Sequence, residues 1–311
     1  MGIHSRSRGV HRLALVNAAA TLLLLFAGGL VTSKGAGLAV PDWPTTFGYN
    51  PFLYPWSKMV GNIFYEHSHR LVASAVGLST VALAAALWLG KNPKWLRRLG
   101  AAAVLLVVAQ GVVGGLRVVL LEQTLAILHA CLAQAFFALA VSLALFTSEE
   151  WRGKPPEEDI PEAGRLRRLA LVTTGLIYCQ IVFGAVLRHT GEMLSLHLIF
   201  AALVTLHVIL LGARVFKHHS QSPALLGPVG LLSLLLLAQL ALGLGAYMGK
   251  FVAALPAPWS VVVTTSHVVA GASMLAASLV LTLRAFKYFS RGDFAEARGL
   301  AALGRPEETS A

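Results

Sequence analysis

"LVNAAATLLLLFAGGLVT", residues 15–32, carries no charged side chain over its whole length. At about 1.5 Å per residue, an apolar run of this size is long enough to cross a hydrocarbon core as an α-helix. It exceeds the apolar region of a typical secretory signal and lacks a small-residue cleavage pattern at its end, so it is expected to stay on the chain. Working outward, seven similar runs follow, and the eight together are expected at about 13–31, 70–89, 99–116, 124–146, 166–187, 194–215, 226–246 and 261–283. The composition agrees: of 311 residues 56% are hydrophobic and only 13% charged, with a mean hydropathy of +0.70. A soluble domain carries roughly a quarter charged residues. The expected fold class is an all-α membrane protein of eight transmembrane helices, arranged as two pseudo-symmetric four-helix bundles.

The charges punctuate the apolar runs instead of lining helix faces. With the N-terminus inside, "RSRGVHR", "KNPKWLRR", "WRGKPPEEDIPEAGRLRR", "RVFKHH" and the tail place about 19 basic residues on the inner side. Only Lys34, Lys58, Arg70, Arg117, Arg188 and Lys250 fall outside. Both termini are therefore expected to be cytoplasmic. The net charge of +11 is then topogenic and faces anionic lipid, which removes nucleic acid as the partner it would otherwise suggest. The mixed-charge, proline-containing linker at 147–165 divides the chain into an N-terminal half (1–146) and a C-terminal half (166–290), followed by a tail at 291–311.

The halves echo one another. "AQGVVGGLRVV", "CQIVFGAVLRHT" and "AQLALGLGAYM" on helices three, five and seven each set a Gln four residues before a Gly, which suggests a repeated hairpin unit. Helix one, ending "FAGGLVTSKGAG", shares only the glycines, which allow close helix approach. On the even helices stand four histidines: His69 in "EHSHR", His129 in "LAILHACLAQ", His197 in "MLSLHLIF" and His267 in "TTSHVVAGAS". Each is expected in the first turns of a helix entering from outside, so all four share one depth. Cys131 and Cys179 read as small buried thiols within helices, with no disulfide expected.

An imidazole within a bilayer needs a partner or a function. One alone would read as an interhelical hydrogen bond; four in matching places are harder to dismiss. Paired imidazoles from facing helices suit a heme better than a zinc ion, which takes three or four clustered ligands. The absence of C-x-x-C-H makes any heme non-covalent. Heme carboxylates need cations, and Arg70, Arg117 and Arg188 are expected at the outer edge, where they could equally snorkel. Glu66 lies three residues before His69 and on its helix face. It reads either as a first-turn carboxylate favoured by the helix dipole, like Glu122 and Glu192, or as a group that moves protons beside a heme edge. His67 falls off that face. His4, His11, His218 and His219 read as solvated flank residues, His207 as a core hydrogen-bonder or an internal relay, and His189 as a group that could meet a heme propionate together with Arg188.

These residues resemble the heme A synthase family, membrane enzymes of eight helices. "TSKGAGLAVPDWPTTFG" is similar to that family's glycine-rich first outer loop with its P-D-W-P, and "EHSHR" to its E-x-x-H-R element. The resemblance covers about residues 13 to 285. It implies that the substrate, heme O, is held by His69 and His129 while a heme B cofactor is held by His197 and His267. It further implies that the C8 methyl group of heme O is oxidised through successive hydroxylation to the formyl group of heme A, that Glu66 is the catalytic carboxylate, and that the protein sits in the cell inner (plasma) membrane. Heme O synthase, terminal oxidase assembly factors and a second copy of the chain are the partner classes it brings into view, beside membrane lipid. One departure stands out: Val40 and Thr46 occupy places near which many bacterial members carry a cysteine pair. The rival reading is a non-catalytic b-type cytochrome with two permanent hemes. A repeat-built transporter with histidine proton carriers is a further one. A prenyltransferase is set aside, because no paired D-x-x-x-D segments occur.

Overall fold

The computed structural model describes residues 2–90, 92–153 and 163–288, with the side chains of 2–7 excepted. Only the ends of the expected linker fall within that range, and the expected tail at 291–311 lies outside it. Among the described residues the secondary structure is helical. Eight helices are long and apolar enough to cross a membrane: α1 (Gly2–Ser33), α2 (Asn62–Leu89), α3 (Lys94–Val119), α4 (Gln123–Thr147), α5 (Ala163–Thr190), α6 (Leu194–His218), α7 (Pro223–Lys250) and α8 (Ala257–Tyr288). Two short 3₁₀ turns, Pro51–Leu53 and Trp56–Lys58, lie in the segment between α1 and α2. A single helical turn, Glu149–Arg152, follows α4.

The helices are longer than their apolar runs. α2 begins at Asn62, not near residue 70, so "EHSHR" lies inside the helix instead of at its mouth. Polar residues can enter the helix here because a folded loop covers them: Glu66 and His67 are both buried. Likewise α8 starts at Ala257, which puts His267 about a turn deeper than expected. Its Pro258 is tolerated because first-turn N–H groups have no intrahelical partner. Each His-bearing helix is preceded by a residue in the left-handed region: Gly61 (φ 55°), Leu121 (57°), Met193 (64°) and Ala253 (54°). A left-handed residue reverses the chain within a short connection, at a cost of roughly 1–2 kcal/mol for a non-glycine residue.

Buried side chains gather in two main clusters. One joins Val10, Ala14, Val76, Leu83, Leu87, Leu96, Phe136 and Leu143 from α1 to α4. The other joins Leu166, Ile177, Val208, Leu211, Leu232 and Leu281 from α5 to α8. A small third cluster of Leu25, Phe137 and Ala272 lies where α1, α4 and α8 meet. Hydroxyls and amides add directional contacts between helices, where apolar association alone gives little preference for one register. Asn17 Nδ2 donates to Ser79 Oγ at 2.6 Å and Thr80 Oγ1 at 2.9 Å. Thr174 Oγ1 lies 2.7 Å from Ser278 Oγ and 2.9 Å from Thr282 Oγ1.

The seam between α1–α4 and α5–α8 is tied at three levels. At the end carrying the α1–α2 loop, Arg188 Nη2 donates to the Gly29 carbonyl (2.8 Å) and Ser33 Oγ (2.7 Å), and Ser33 Oγ meets Thr265 Oγ1 at 3.0 Å. Midway, the Tyr178 hydroxyl donates to the Cys131 carbonyl at 3.2 Å. At the other end, Glu150 receives Arg284 (2.7 Å) and the Tyr288 hydroxyl (2.9 Å), while Lys287 donates to its carbonyl at 2.8 Å. His11 and His219 are not solvated as expected. His11 Nδ1 lies 3.1 Å from the Ala144 carbonyl, and His219 is buried at the end of α6.

Candidate functional site

Each of the four intramembrane histidines is packed against a glycine of the preceding helix. A Cβ added to Gly28 would meet His69 Cε1 at 3.1 Å, and one on Gly114 would meet His129 Cε1 at 2.8 Å. For Gly184 with His197, and for Gly243 with His267, the distance is 3.0 Å. The glycines of the repeat are thus the floor on which the imidazoles rest, and even a methyl group would displace the ring. Helix one, which shares only glycines with the other odd helices, takes part through Gly28. All four Nδ1 atoms are buried and make no well-formed hydrogen bond, although the backbones of Gln110, Gln180 and Gln239 approach the rings of His129, His197 and His267. A buried imidazole nitrogen with no well-formed hydrogen bond is costly in a low-dielectric interior, and its recurrence at four matching places points to a ligand that completes it.

The spacing fits heme. The rings of His197 and His267 have centroids 6.3 Å apart, and two metal–nitrogen bonds of about 2 Å place the centres of imidazoles on opposite sides of one metal about 6 Å apart. His69 lies within electrostatic reach of His129, Arg117 and Arg70, which groups the expected N-terminal pair. Among the described residues no three His, Cys, Asp or Glu side chains converge as they would on a bare metal ion.

The arginines and Glu66 lie at the loop end of this arrangement. The Glu66 side chain is buried, with Oε1 accepting from Arg70 Nη2 at 2.8 Å and Oε2 accepting the Val40 N–H at 2.9 Å. Arg70 also donates to the carbonyls of Asp42 (2.7 Å), Thr45 (3.1 Å) and Val40 (2.9 Å). Both of its terminal nitrogens are therefore occupied by Glu66 and the loop. Arg117 Nη2 donates to the Gly37 carbonyl at 2.7 Å, and Arg188 to α1 as described; their Nη1 ends have no protein partner among the described residues. Lys250 caps the last turn of α5, donating to the Leu187 and Arg188 carbonyls at 3.0 and 2.9 Å. It was not among the expected site residues. A lone lysine at a helix end gave no signal in the sequence beyond its sign.

Residues 34–61 close over the N-terminal pair. Trp43 lies so close to Gly115 on α3 that a Cβ there would collide with its ring, and Arg117 presses equally on Gly37. Thr46 Oγ1 lies 3.1 Å from His67 Nδ1, and the His67 ring packs on Tyr54 with centroids 5.1 Å apart. His67 therefore serves the loop, on the side away from His69. Asp42 organises the loop tip by accepting from Thr45 Oγ1 (2.5 Å) and the N–H groups of Phe47 (2.7 Å) and Gly48 (2.9 Å). Burial works to raise the Asp42 carboxyl, but these hydrogen bonds outweigh it and hold it below the usual carboxylate range. His207 Nδ1 bonds only to its own helix, at the Leu203 carbonyl (2.8 Å). The backbone of His189 receives Gln123 Nε2.

The sequence pattern of the cytochrome oxidase assembly protein family matches residues 11–196. The chain belongs to that family. The matched region contains Glu66, His69, Arg70, Arg117, His129 and Arg188 and ends before His197. The heme A synthase of Shouchella clausii (strain KSM-K16) is 29% identical over 194 residues, which cover 60% of this chain and 62% of that protein. The heme A synthase of Alkalihalophilus pseudofirmus (strain ATCC BAA-2126 / JCM 17055 / OF4) is 27% identical over 222 residues, 70% of this chain and 67% of that one. The heme A synthase of Lysinibacillus sphaericus (strain C3-41) is 29% identical over 177 residues, 56% of each chain. The chain thus spans about three fifths of the length of the first of these relatives. Family membership and eight membrane-crossing helices make this a multi-pass membrane protein.

Proposed function

We propose that this family member is a heme A synthase: it oxidises the C8 methyl group of heme O to a formyl group through successive hydroxylation. The observation that carries the reading is the fourfold histidine-on-glycine packing with buried Nδ1 atoms that make no well-formed hydrogen bond, a donor set suited to iron porphyrin and to little else. In this reading α1–α4 hold the substrate between His69 and His129. His197 and His267 hold a heme B, which when bound supplies one-electron transfer out of the substrate half. The two separate cores support treating the halves as functional units.

The residues of the chain then have distinct tasks. Arg117 and Arg188, with their free Nη1 ends, receive porphyrin carboxylates, where a guanidinium fork suits a carboxylate better than an ammonium does. Arg70, whose terminal nitrogens are already taken, anchors the loop instead. Trp43 and the loop around Asp42 exclude water from the substrate edge. Each hydroxylation with water as oxygen donor removes two electrons and releases two protons, and a second round followed by loss of water leaves the formyl group. Glu66 is the carboxylate placed to accept those protons and to stabilise positive charge developing at the methyl carbon. The setting is the plasma membrane, beside the enzyme that supplies heme O and the oxidase that consumes heme A.

Co-expression with a heme O-forming enzyme, followed by pigment extraction, tests the proposal. Wild type should yield hydroxylated and formyl hemes, and Glu66→Ala should retain heme while losing both products. Heme B alone in the wild-type extract would replace the enzyme reading with that of an electron-transfer cytochrome. Loss of His197 or His267 should deplete heme B, and loss of His69 or His129 should impair substrate handling. Equal effects from all four would sink the division between halves.

A further inference from the structure

The four imidazoles rest on equivalent glycines, but their hydrogen bonding differs between the halves. Gln180, four residues before Gly184, brings Nε2 to 3.3 Å from His197 Nε2. Gln239, four residues before Gly243, does the same to His267 at 3.3 Å. The Gln239 carboxamide is wedged in place, since a Cβ on Gly271, one turn beyond His267, would meet it at 3.2 Å. In the other half the register is kept and the contact is lost. The side chain of Gln110, four residues before Gly114, donates to the backbone carbonyl of His129 at 3.1 Å and does not reach the ring. Four residues before Gly28 stands Leu24, an aliphatic side chain packed into the α1–α4 core. Among the described residues no side chain hydrogen-bonds to the ring of His69 or His129.

We propose that Gln180 and Gln239 are positioning residues that fix the C-terminal imidazoles for permanent ligation, and that Leu24 and the diverted Gln110 leave the N-terminal pair compliant, as a site that loads and releases heme. The inference rests on the reading that these histidine pairs ligate heme. An outer partner that orients a ligating imidazole is typically worth a factor of 10–100 in metal affinity. With the carboxamide turned about its last bond, Oε1 takes the place of Nε2 and accepts the ring Nε2–H, which leaves the Nδ1 lone pair for a metal. A ring already held in place loses less freedom on binding. A ring with no side-chain partner turns away from the metal more easily than one that has one, which is what a substrate that must leave as product requires. The same fold thereby holds one porphyrin and exchanges another, through two side-chain positions on α1 and α3.

Heme transfer from the purified, heme-loaded protein to excess apomyoglobin reads this directly. Wild type should lose heme in two phases, and His69→Ala should remove the fast one. Gln180→Leu and Gln239→Leu should each accelerate the slow phase about tenfold or more and leave the fast phase unchanged, which also shows that the variants are folded. Gln239→Glu, which keeps an acceptor at the same reach, should restore most of the slow rate. Leu24→Gln should slow the fast phase. A redox titration adds a second readout: Gln239→Leu should shift the midpoint potential of the slowly lost heme, and Gln110→Leu should leave it in place. Single-phase loss from wild type, or an unchanged slow phase in both leucine variants, would overturn the inference while leaving heme ligation intact. A protein that takes up no heme would overturn the ligation reading itself.

Discussion

Glu66 is held by one guanidinium and one backbone N–H, and both bonds reach the same loop, through Arg70 and through Val40. Its 5% side-chain exposure and the 15% of Arg70 put the pair in the regime where removing one partner strands the other, a loss of about 3–5 kcal/mol. Arg70→Ala should therefore lower the unfolding temperature and expose the loop to proteolysis near Lys58, with Arg70→Lys intermediate because it keeps the charge and loses the fork. A melting curve of Arg70→Ala that overlays wild type would show the pair to be idle. Asp42 gives the loop a pH response. Its carboxyl is held below the usual range, so its stabilising contribution is complete above the unfolded value of about 3.8 and disappears as pH falls through the lower folded value. Hydrogen exchange at the Phe47 and Gly48 amides should stay protected at neutral and mildly acid pH and lose protection only below about pH 3.8, and Asp42→Asn should abolish that dependence. The alignment of Glu66 with His69 was legible in the sequence, because a three-residue spacing on a helix fixes a shared face. The return of Val40 and Thr46 onto that helix was not, since tertiary bonds to one carboxylate and one imidazole set the path of the loop.

Among the elements, the glycine–histidine packing makes a graded demand on space. Gly114→Val should displace His129 and Gly243→Val should displace His267, each cutting heme occupancy of its own half at least tenfold and sparing the other, as read from pyridine hemochrome content. Equal losses at both sites would mean the glycines serve global packing alone. The sequence showed the Gln–Gly repeat and suggested close helix approach; that the approaching group is an imidazole emerges only when α1 is set beside α2, α3 beside α4, α5 beside α6 and α7 beside α8. Helix boundaries were the less legible part. Hydropathy reads the polar start of α2 as solvent because it has no knowledge of the covering loop, and it misses the first turn of α8 for similar reasons of composition.

The whole molecule was largely legible because hydrocarbon thickness imposes one physical length on every crossing element, and eight apolar runs of that length are unambiguous. The seam was not, since its contacts depend on a hydroxyl here and a carbonyl there: Arg188 on Gly29, Tyr178 on Cys131, Glu150 under Arg284 and Tyr288. Co-expressed as separate chains split between residues 153 and 163, the two halves should co-purify, and Arg188→Ala combined with Tyr178→Phe should weaken that association in a pull-down; halves that never associate would contradict the seam. The seam also bears on what kind of machine this is. A carrier that alternates access must pivot one bundle about the other, and a pivot needs at least one end that opens. Here both ends are riveted, by Arg188 and Ser33 at one and by the Glu149–Arg152 turn at the other. A frame braced at both ends resists rocking, so under the proposed function electrons and protons would pass between its halves while a porphyrin would enter and leave each half from the lipid-facing side.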